Sequence, residues 1–217
     1  MPFEIQGMNF TGFARIDIDK LVQLDYAGRV NWLEHRFELV FLTPFSKLVG
    51  LDGQDCYVWL CVVSLLCTAV EALADFEFTG SGIQRFSAFT EKYFGNEFKS
   101  AKLHLDDPRP DKGQIATTPA QHLYKYFRCG LAHSFCIEWG GILHREDGAV
   151  SYLFERNPVG NQRSLGIVPR ELVTDFLGAV QRFFESALAW KPGMPEADNF
   201  TRQFDEVFLM CSRPPAP

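Results

Sequence analysis

An arginine and a histidine, Arg128 and His133, stand five positions apart in a segment whose pattern predicts a helix. A guanidinium stays charged at physiological pH and can bind a phosphate through two parallel donors. An imidazole, with an unperturbed pKa of about 6.5, can take up or release a proton at neutral pH. The two residue types therefore suit chemistry at a phosphate. The plainer interpretation of His133 is a solvated histidine.

The helix that carries this pair is expected from Thr118 to about Ser134. Thr118 can cap it, Pro119 stands at the first helical position, and Gln121 completes a capping-box spacing. At about 100° per residue, an apolar stripe faces inward and a basic polar face lies opposite, with Arg128 at the flank of the stripe. The stripe consists of Leu123, Phe127, Leu131 and Phe135, and the polar face of His122, Lys125, Cys129 and His133.

An earlier helix, about Gln54 to Phe78, is apolar nearly all round at its start, which is typical of a central helix packed on several sides. Its polar residues Ser64, Thr68, Glu71 and Asp75 step by four, three and four positions and so form one seam. The seam either faces water or forms a polar wall beside a site. Within it, Glu71 either holds Arg128 by a charge-assisted hydrogen bond or is solvated.

The segment Tyr126-Phe127-Arg128-Cys129-Gly130-Leu131-Ala132-His133 resembles the motif of HEPN ribonucleases, which is an arginine, four to six residues and a histidine. The run from Leu65 to Phe76, with Glu71, looks like the earlier helix against which the motif helix packs in that family. The resemblance covers about Gln54 to Ser134. Members of the family usually have a polar residue directly after the arginine, where this chain has Cys129. The spacing of Arg29 and His35 in the first helix also fits the motif.

The resemblance implies a mainly α fold, a HEPN-like helical bundle over residues 1–212. The residues themselves predict a small β-hairpin inserted after the motif helix and a Pro-rich tail at 213–217. It implies a metal-independent endoribonuclease that leaves 2′,3′-cyclic phosphate ends and acts in defence or in a toxin system. Arg128 would hold the phosphoryl group and His133 would be the base or the acid, with Glu71, Lys125 and Cys129 in support. HEPN ribonucleases act as dimers, so a homodimer is expected.

Gly130 either lets two motif helices approach closely or marks a bend or the helix end. A second interpretation is an inactive HEPN-like helical module that binds a protein partner or a nucleotide. Co-transcription with an antitoxin or a nucleotidyltransferase partner would favour the toxin interpretation.

Composition limits the partners. A net charge of −6 argues against general electrostatic binding of nucleic acid, so any RNA contact must be local. The six cysteines form no C-x-x-C pair and the histidines are scattered, so free thiols, no metal site and no cofactor are expected. The uncharged run from Cys56 to Val70 is shorter than a membrane span, and no secretory signal is recognised, which favours a cytoplasmic protein without membrane contact. The 21 phenylalanines form either an aromatic core or an apolar dimer surface.

The remaining elements follow from periodicity and turn residues. We expect a first helix from Asp19 to Leu42 that Thr43-Pro44 breaks, with Pro44 able to open a short helical continuation. A third helix is expected from Ser81 to Phe98 after a Gly-Ser-Gly start, followed by a loop from Asp106 to Thr118. A hairpin of Phe135 to Leu143 with Ala149 to Glu155 is expected around Asp147-Gly148, and a third strand from Ser164 to Val168. A long helix begins at Pro169, and its inward face consists of Leu172, Val173, Phe176, Val180, Phe183, Ala187 and Leu188. A last helix is expected near Asp198 to Met210.

Overall fold

The protein is seen in a computed structural model that describes residues 18–50, 56–95, 98, 116–130, 141–143, 152–156 and 163–210. The described part is mainly helical, in agreement with the predicted fold class. His133, most of the expected loop at 106–118, the Asp147-Gly148 turn and the tail at 213–217 lie outside these ranges.

The predicted first helix is in fact two helices, α1 (Ile18–Val22) and α2 (Tyr26–Phe37). The break has a local cause, since the side chain of Asp25 accepts a hydrogen bond from the N–H of Gly28 and so caps a new helix. Helix α2 passes directly into a π-helical segment, π1 (Glu38–Leu42), and then into α3 (Thr43–Gly50).

The expected break at Thr43-Pro44 is wrong, because the chain stays helical through Pro44. The short helical continuation that Pro44 was expected to open is present as α3, which already begins at Thr43. Proline has no N–H, so a carbonyl in the preceding turn must lose its usual partner. The N–H of Thr43 bonds to the carbonyl of Glu38, five residues back, so the hydrogen-bond pattern widens just before the proline.

Helix α4 (Cys56–Glu77) is the centre of the fold, as its composition predicts. It packs against α3 and against four elements that are described below. Residues Val58–Glu77 have a mean hydropathy of 1.8, so by length and composition alone this stretch could span a membrane. A central helix meets the same criteria because neighbours cover it on several sides. Nine of its apolar residues are at most 6% exposed: Val62, Val63, Leu66, Cys67, Ala69, Val70, Leu73, Ala74 and Phe76.

Helix α5 (Gly82–Tyr93) lies beside α4 and begins with a capping box between Ser81 and Gln84. The turn before it needs Gly80, whose φ of +111° is a left-handed conformation that side chains rarely adopt. The helix ends at Tyr93, earlier than the expected Phe98. Arg182 donates from Nε to the carbonyl of Tyr93 at 2.8 Å and so satisfies the helix end.

The motif helix begins where the sequence predicts, as α6 (Pro119–His122), but continues as the π-helical segment π2 (Leu123–Cys129). Thr118 accepts from the N–H of Gln121, as a cap should. The capping box is offset by one residue, because the Gln121 carboxamide accepts from the N–H of Thr117 at 2.7 Å.

A three-stranded sheet follows, made of β1 (Gly141–Leu143), β2 (Tyr152–Arg156) and β3 (Arg163–Ile167). The order is β1-β3-β2, with β3 parallel to β1 and antiparallel to β2. A hairpin is therefore present, but between β2 and β3, and the expected direct pairing of the first two strands is wrong. The central place of β3 agrees with its burial, since Leu165 and Ile167 are fully buried.

The chain ends in a long helix, α7 (Pro169–Ala189), followed by α8 (Pro195–Phe204) and a third π-helical segment, π3 (Asp205–Met210). Helix α7 contacts α2, α4 and α5, and α8 contacts α4. The predicted inward face of α7 is confirmed except at Leu188, which is 45% exposed. The last helix begins earlier than the expected Asp198, because Pro195 takes the first helical position.

The phenylalanines form the core and supply no exposed surface among the described side chains. Phe45, Phe176, Phe183 and Phe200 are at most 2% exposed and stack or meet edge to face with neighbouring rings. Of the two interpretations of the phenylalanine content, the aromatic core is the one that these residues fit.

Candidate active site

Arg128, on π2, lies against Glu71 on α4. Nε of Arg128 donates to Oε2 of Glu71 at 2.8 Å, and Nη2 donates to the same oxygen. The side chains are 24% and 20% exposed, so the pair is partly shielded from water. In the structure Glu71 therefore holds Arg128, which is the first of the two interpretations that the sequence left open.

This geometry leaves part of the guanidinium unused. Both bonds end on Oε2, and Nη1 of Arg128 makes no hydrogen bond to any residue that the structure describes. Two N–H groups of the arginine therefore fix it to Glu71, and Nη1 can still donate a hydrogen bond to another group. The Arg128 side chain as a whole is 24% exposed.

Tyr124, on the same helical segment, packs against the guanidinium group of Arg128. The Cζ atom of Arg128 lies 5.5 Å from the centre of the Tyr124 ring, within cation–π range. The ring meets Phe86 edge to face at 5.2 Å, which fixes its position against α5. Burial raises the pKa of Tyr124, and Cys129 and Glu71 raise it further, so the phenol is neutral and keeps its proton at neutral pH.

Gly82 is the reason that Tyr124 and Glu71 can meet α5 so closely. A Cβ atom built on Gly82 would lie 2.6 Å from the Tyr124 hydroxyl oxygen and 3.3 Å from Oε1 of Glu71. No side chain fits there without displacing the tyrosine. The glycine of the predicted Gly-Ser-Gly helix start is thus also a contact residue of the site.

The charge of Arg128 is stable in this setting. Burial by itself lowers the pKa of Arg128, but the hydrogen bond and charge of Glu71, together with Tyr124 and Cys129, raise it overall. The arginine is a permanent cation. Its positive charge is largely offset by Glu71, so an anionic ligand has to compete with that carboxylate.

Two thiols lie around this group. Cys129 is partly exposed and interacts with Tyr124, while Cys67 is fully buried near Arg128 and Glu71. Burial raises the pKa of Cys67 far above its ordinary value, so this thiol is inert and serves as a small core residue. Cys61 is exposed, so it does not pack as the small hydrophobe that its apolar neighbourhood predicts.

The predicted basic face of the motif helix is only partly present. Lys125 is half-buried with its ammonium 5.8 Å from the ring of Tyr126. His122 is not on a polar face at all, being 1% exposed and stacked on Tyr126 at 5.4 Å. The prediction failed because α5 covers a second side of this helix, and because the wider π-helical turn changes the angle per residue that an α-helix would have.

The polar seam of α4 divides into two parts. Its later residues form ion pairs, Glu71 with Arg128 and Asp75 with Arg85 at 2.5 Å. At its earlier end Thr68 is exposed and donates to the carbonyl of Ser64 in its own helix. The seam is thus a polar wall at one end and faces water at the other.

The second arginine–histidine pair is used in packing. Arg29 forms an ion pair with Asp205 at 2.9 Å and lies 5.4 Å from the centre of the Phe204 ring. These contacts join α2 to the α8–π3 end of the chain. His35 lies 3.9 Å from Oε2 of Glu38, one turn away.

No family model, curated protein or solved structure matches this chain. The functional argument therefore depends on the residues around Arg128. In the described ranges no group of three or more histidine, cysteine, aspartate or glutamate side chains is arranged to hold a metal ion. Gly130 is buried and ends π2 with a helical backbone, and the histidine partner, His133, lies beyond the described part of the motif helix.

Sequence reasoning missed two residues of this site, Tyr124 and Gly82. Tyr124 precedes Arg128 by four positions, a spacing at which side chains on a helix are neighbours, and this signal was present in the sequence. Gly82 carried no such signal, because its role depends on how closely α5 approaches π2.

Proposed function

We propose that this chain is a metal-independent endoribonuclease of the HEPN type, with Arg128 and His133 as its catalytic residues. The observation that carries the proposal is the Glu71–Arg128 pair, which fixes an arginine on a late helix against the central helix. Such a pair gives the motif arginine a defined position. The mainly helical architecture is the kind that the HEPN resemblance requires.

Arg128 would bind the scissile phosphate. Two of its nitrogens face Glu71, and the remaining Nη1 can donate to a phosphate oxygen and offset the charge that develops in the transition state. Glu71 and Tyr124 hold the guanidinium before the substrate arrives, so little side-chain order has to be gained on binding. Both would be positioning residues, and Lys125 and Cys129 lie on the same segment in support.

His133 would move the protons. RNA supplies the nucleophile, the 2′-hydroxyl next to the scissile phosphate. In the proposed step its oxygen bonds to phosphorus while a neutral imidazole takes its proton, and the bond from phosphorus to the 5′-oxygen breaks. An imidazolium returns a proton to that oxygen. The products are a 2′,3′-cyclic phosphate and a 5′-hydroxyl, and no metal ion or cofactor takes part.

Two copies of the chain would supply the site. In an ideal α-helix, residues five positions apart differ by about 140° around the axis and by about 7.5 Å along it, which does not focus them on one phosphate. In a homodimer, Arg128 of one copy and His133 of the partner subunit can meet in a composite cleft. Gly130 is already buried within one copy, so the contact between the two motif helices would have to use other residues.

The alternative is an inactive helical module that binds a protein partner or a nucleotide. Glu71 neutralises much of the charge of Arg128, and the net charge of −6 opposes a long RNA contact. Cys129 in place of a polar residue after the arginine also favours this alternative.

The test is the chemistry of the product ends in EDTA. We expect the protein to cut an RNA oligonucleotide and to leave 2′,3′-cyclic phosphate ends, while a substrate with a single 2′-deoxy sugar at the cleavage position stays intact. Binding of RNA or a nucleotide without cleavage would favour the inactive module. An adjacent antitoxin or nucleotidyltransferase that blocks cleavage would support a defence or toxin role.

A further inference from the structure

The ammonium group of Lys92 lies among three aromatic rings at the end of α4. Its Nζ atom is 5.1 Å from the ring centre of Tyr93, 5.9 Å from that of Phe78 and 6.0 Å from that of Trp190. Cations are attracted to ring faces within about 6 Å. Phe78 follows α4, Tyr93 ends α5 and Trp190 follows α7, so three elements converge on one ammonium group.

A buried carboxylate closes this arrangement from inside. Oε1 of Glu77 accepts a hydrogen bond from Nζ of Lys92, and the Glu77 side chain is only 1% exposed. We call Glu77, Phe78, Tyr93 and Trp190 together the Lys92 cage. Three rings and a carboxylate around one nitrogen are the groups with which proteins recognise organic ammonium ions.

The cage has hydrogen-bonding capacity that Lys92 does not use. Oε2 of Glu77 and the hydroxyl of Tyr93 are both buried, and neither has a hydrogen-bond partner within the described part of the chain. The Tyr93 hydroxyl nevertheless lies close enough to Glu77 to lower the pKa of that carboxyl in part. Buried polar atoms are nearly always satisfied, and Oε2 keeps acceptor capacity that the Lys92 ammonium group does not use.

Lys92 can leave the cage while Glu77 cannot. The Lys92 side chain is 43% exposed against 1% for Glu77. Rotation of a partly exposed lysine about its own side-chain bonds requires no change in the backbone. It would open a path from solvent to the carboxylate and the three rings, which belong to packed helix ends.

We propose that the Lys92 cage is a binding site for an organic ammonium ion that retains at least one N–H, and that the Lys92 ammonium group occupies it in the free protein. The ligand nitrogen would replace Nζ, bond to Oε1 of Glu77 and direct a second N–H to Oε2 or to the Tyr93 hydroxyl. The rings would contact the carbon atoms next to the nitrogen. A tethered lysine competes at a high effective concentration, so removal of its charge is what opens the site.

The experiment uses Lys92→Ala in the full chain and follows thermal unfolding in ethylammonium chloride, with sodium chloride at equal ionic strength as the reference. Near saturation the ligand should raise the Tm of this variant by about 2–4 °C. Wild type and Lys47→Ala, which removes an exposed lysine on α3, should not gain more Tm in ethylammonium chloride than in sodium chloride. An equal response in all three proteins overturns the proposal.

A double variant tests the carboxylate. Glu77→Gln combined with Lys92→Ala keeps the rings but removes the buried charge, and it should lose the ethylammonium effect.

Tetramethylammonium, which has no N–H, should raise the Tm of Lys92→Ala by less than ethylammonium does. An equal or larger rise contradicts the hydrogen-bonding part of the site. If Lys92→Ala does not refold in sodium chloride, the refolding yield becomes the readout. A yield that ethylammonium does not improve overturns the proposal.

Discussion

Nε of Arg128 lies 2.8 Å from Oε2 of Glu71, and this hydrogen bond joins the motif helix to the central helix α4. The two residues are 57 positions apart in the chain. Their contact therefore depends on the bundle being assembled, and in the proposed reaction it determines where the phosphate would sit. Glu71 thus has two effects, since it fixes the arginine and also opposes an incoming anion.

The strength of this ion pair can be measured with a double-mutant cycle of Glu71→Gln and Arg128→Gln. Because both side chains are mostly shielded, we expect a coupling of about 1–2 kcal/mol in the free energy of unfolding from urea titrations. The pair Arg202–Glu206 is a matched control, since its side chains are 53% and 46% exposed at a similar distance of 2.9 Å. Its coupling should be below about 0.5 kcal/mol. Equal couplings would show that the Arg128 pair is no better shielded than a surface pair.

Gly82→Ala should destabilise the protein and disturb the site. The added methyl group would lie 2.6 Å from the Tyr124 hydroxyl oxygen, so the tyrosine has to move away from Arg128. We expect a loss of about 1–3 kcal/mol in the free energy of unfolding. Gly50→Ala is the control, because nothing lies within 4 Å of its added Cβ. It should leave the stability unchanged or raise it by up to about 1 kcal/mol. Equal effects of the two substitutions would contradict the contact.

The positions of most helices could be predicted from the sequence. A continuous apolar stretch predicted α4, apolar residues at three- and four-residue steps predicted α5 and α7, and the Thr118-Pro119 start predicted α6, because these signals are local. The break before Tyr26 was also encoded, in Asp25, but the apolar period runs across it. Periodicity alone therefore could not reveal the cap.

What could not be predicted depends on contacts between distant parts of the chain. The strand order β1-β3-β2 depends on pairing between strands that are distant in sequence, whereas the Asp147-Gly148 turn signal concerns only neighbouring residues. The burial of His122 follows from packing of α5 on the motif helix. Glu71 was identified as a partner of Arg128, but the alternative of a solvated carboxylate could be excluded only in the assembled bundle.

Thr118→Ala tests the start of the motif helix. The Thr118 hydroxyl accepts from the N–H of Gln121 at 3.3 Å and donates to Oε1 of Glu91 at 3.0 Å, so it joins α6 to α5. Its loss should lower the free energy of unfolding by about 1 kcal/mol, the usual value for an N-cap. Thr174→Ala, where the hydroxyl bonds to a carbonyl of its own helix, should change it by less than about 0.5 kcal/mol. A Thr118→Ala effect no larger than that of the control would contradict the capping role.

The pH dependence of stability should show the buried carboxyl of Glu77. Burial raises its pKa above the ordinary value of 4.5, although the neighbouring Lys92 ammonium group and Tyr93 hydroxyl lower it in part. A carboxyl with a raised folded-state pKa contributes stability below its unfolded pKa, and that contribution is lost as the pH rises through the folded value. The free energy of unfolding of wild type relative to Glu77→Gln should therefore fall as the pH is raised from about 4 to about 7. A difference that stays constant or rises would contradict the raised pKa.

The most direct test of the proposed function compares two arginine–histidine pairs in one RNA cleavage assay in EDTA. Arg128→Ala and His133→Ala should each lower the cleavage rate by at least about 10²-fold, the first through loss of transition-state charge stabilisation and the second through loss of a general acid or base. His35→Ala, in the second pair with the motif spacing, should leave the rate within about twofold of wild type once its folding has been confirmed by its Tm. Cleavage that survives His133→Ala, or that falls equally in His35→Ala, would contradict the account.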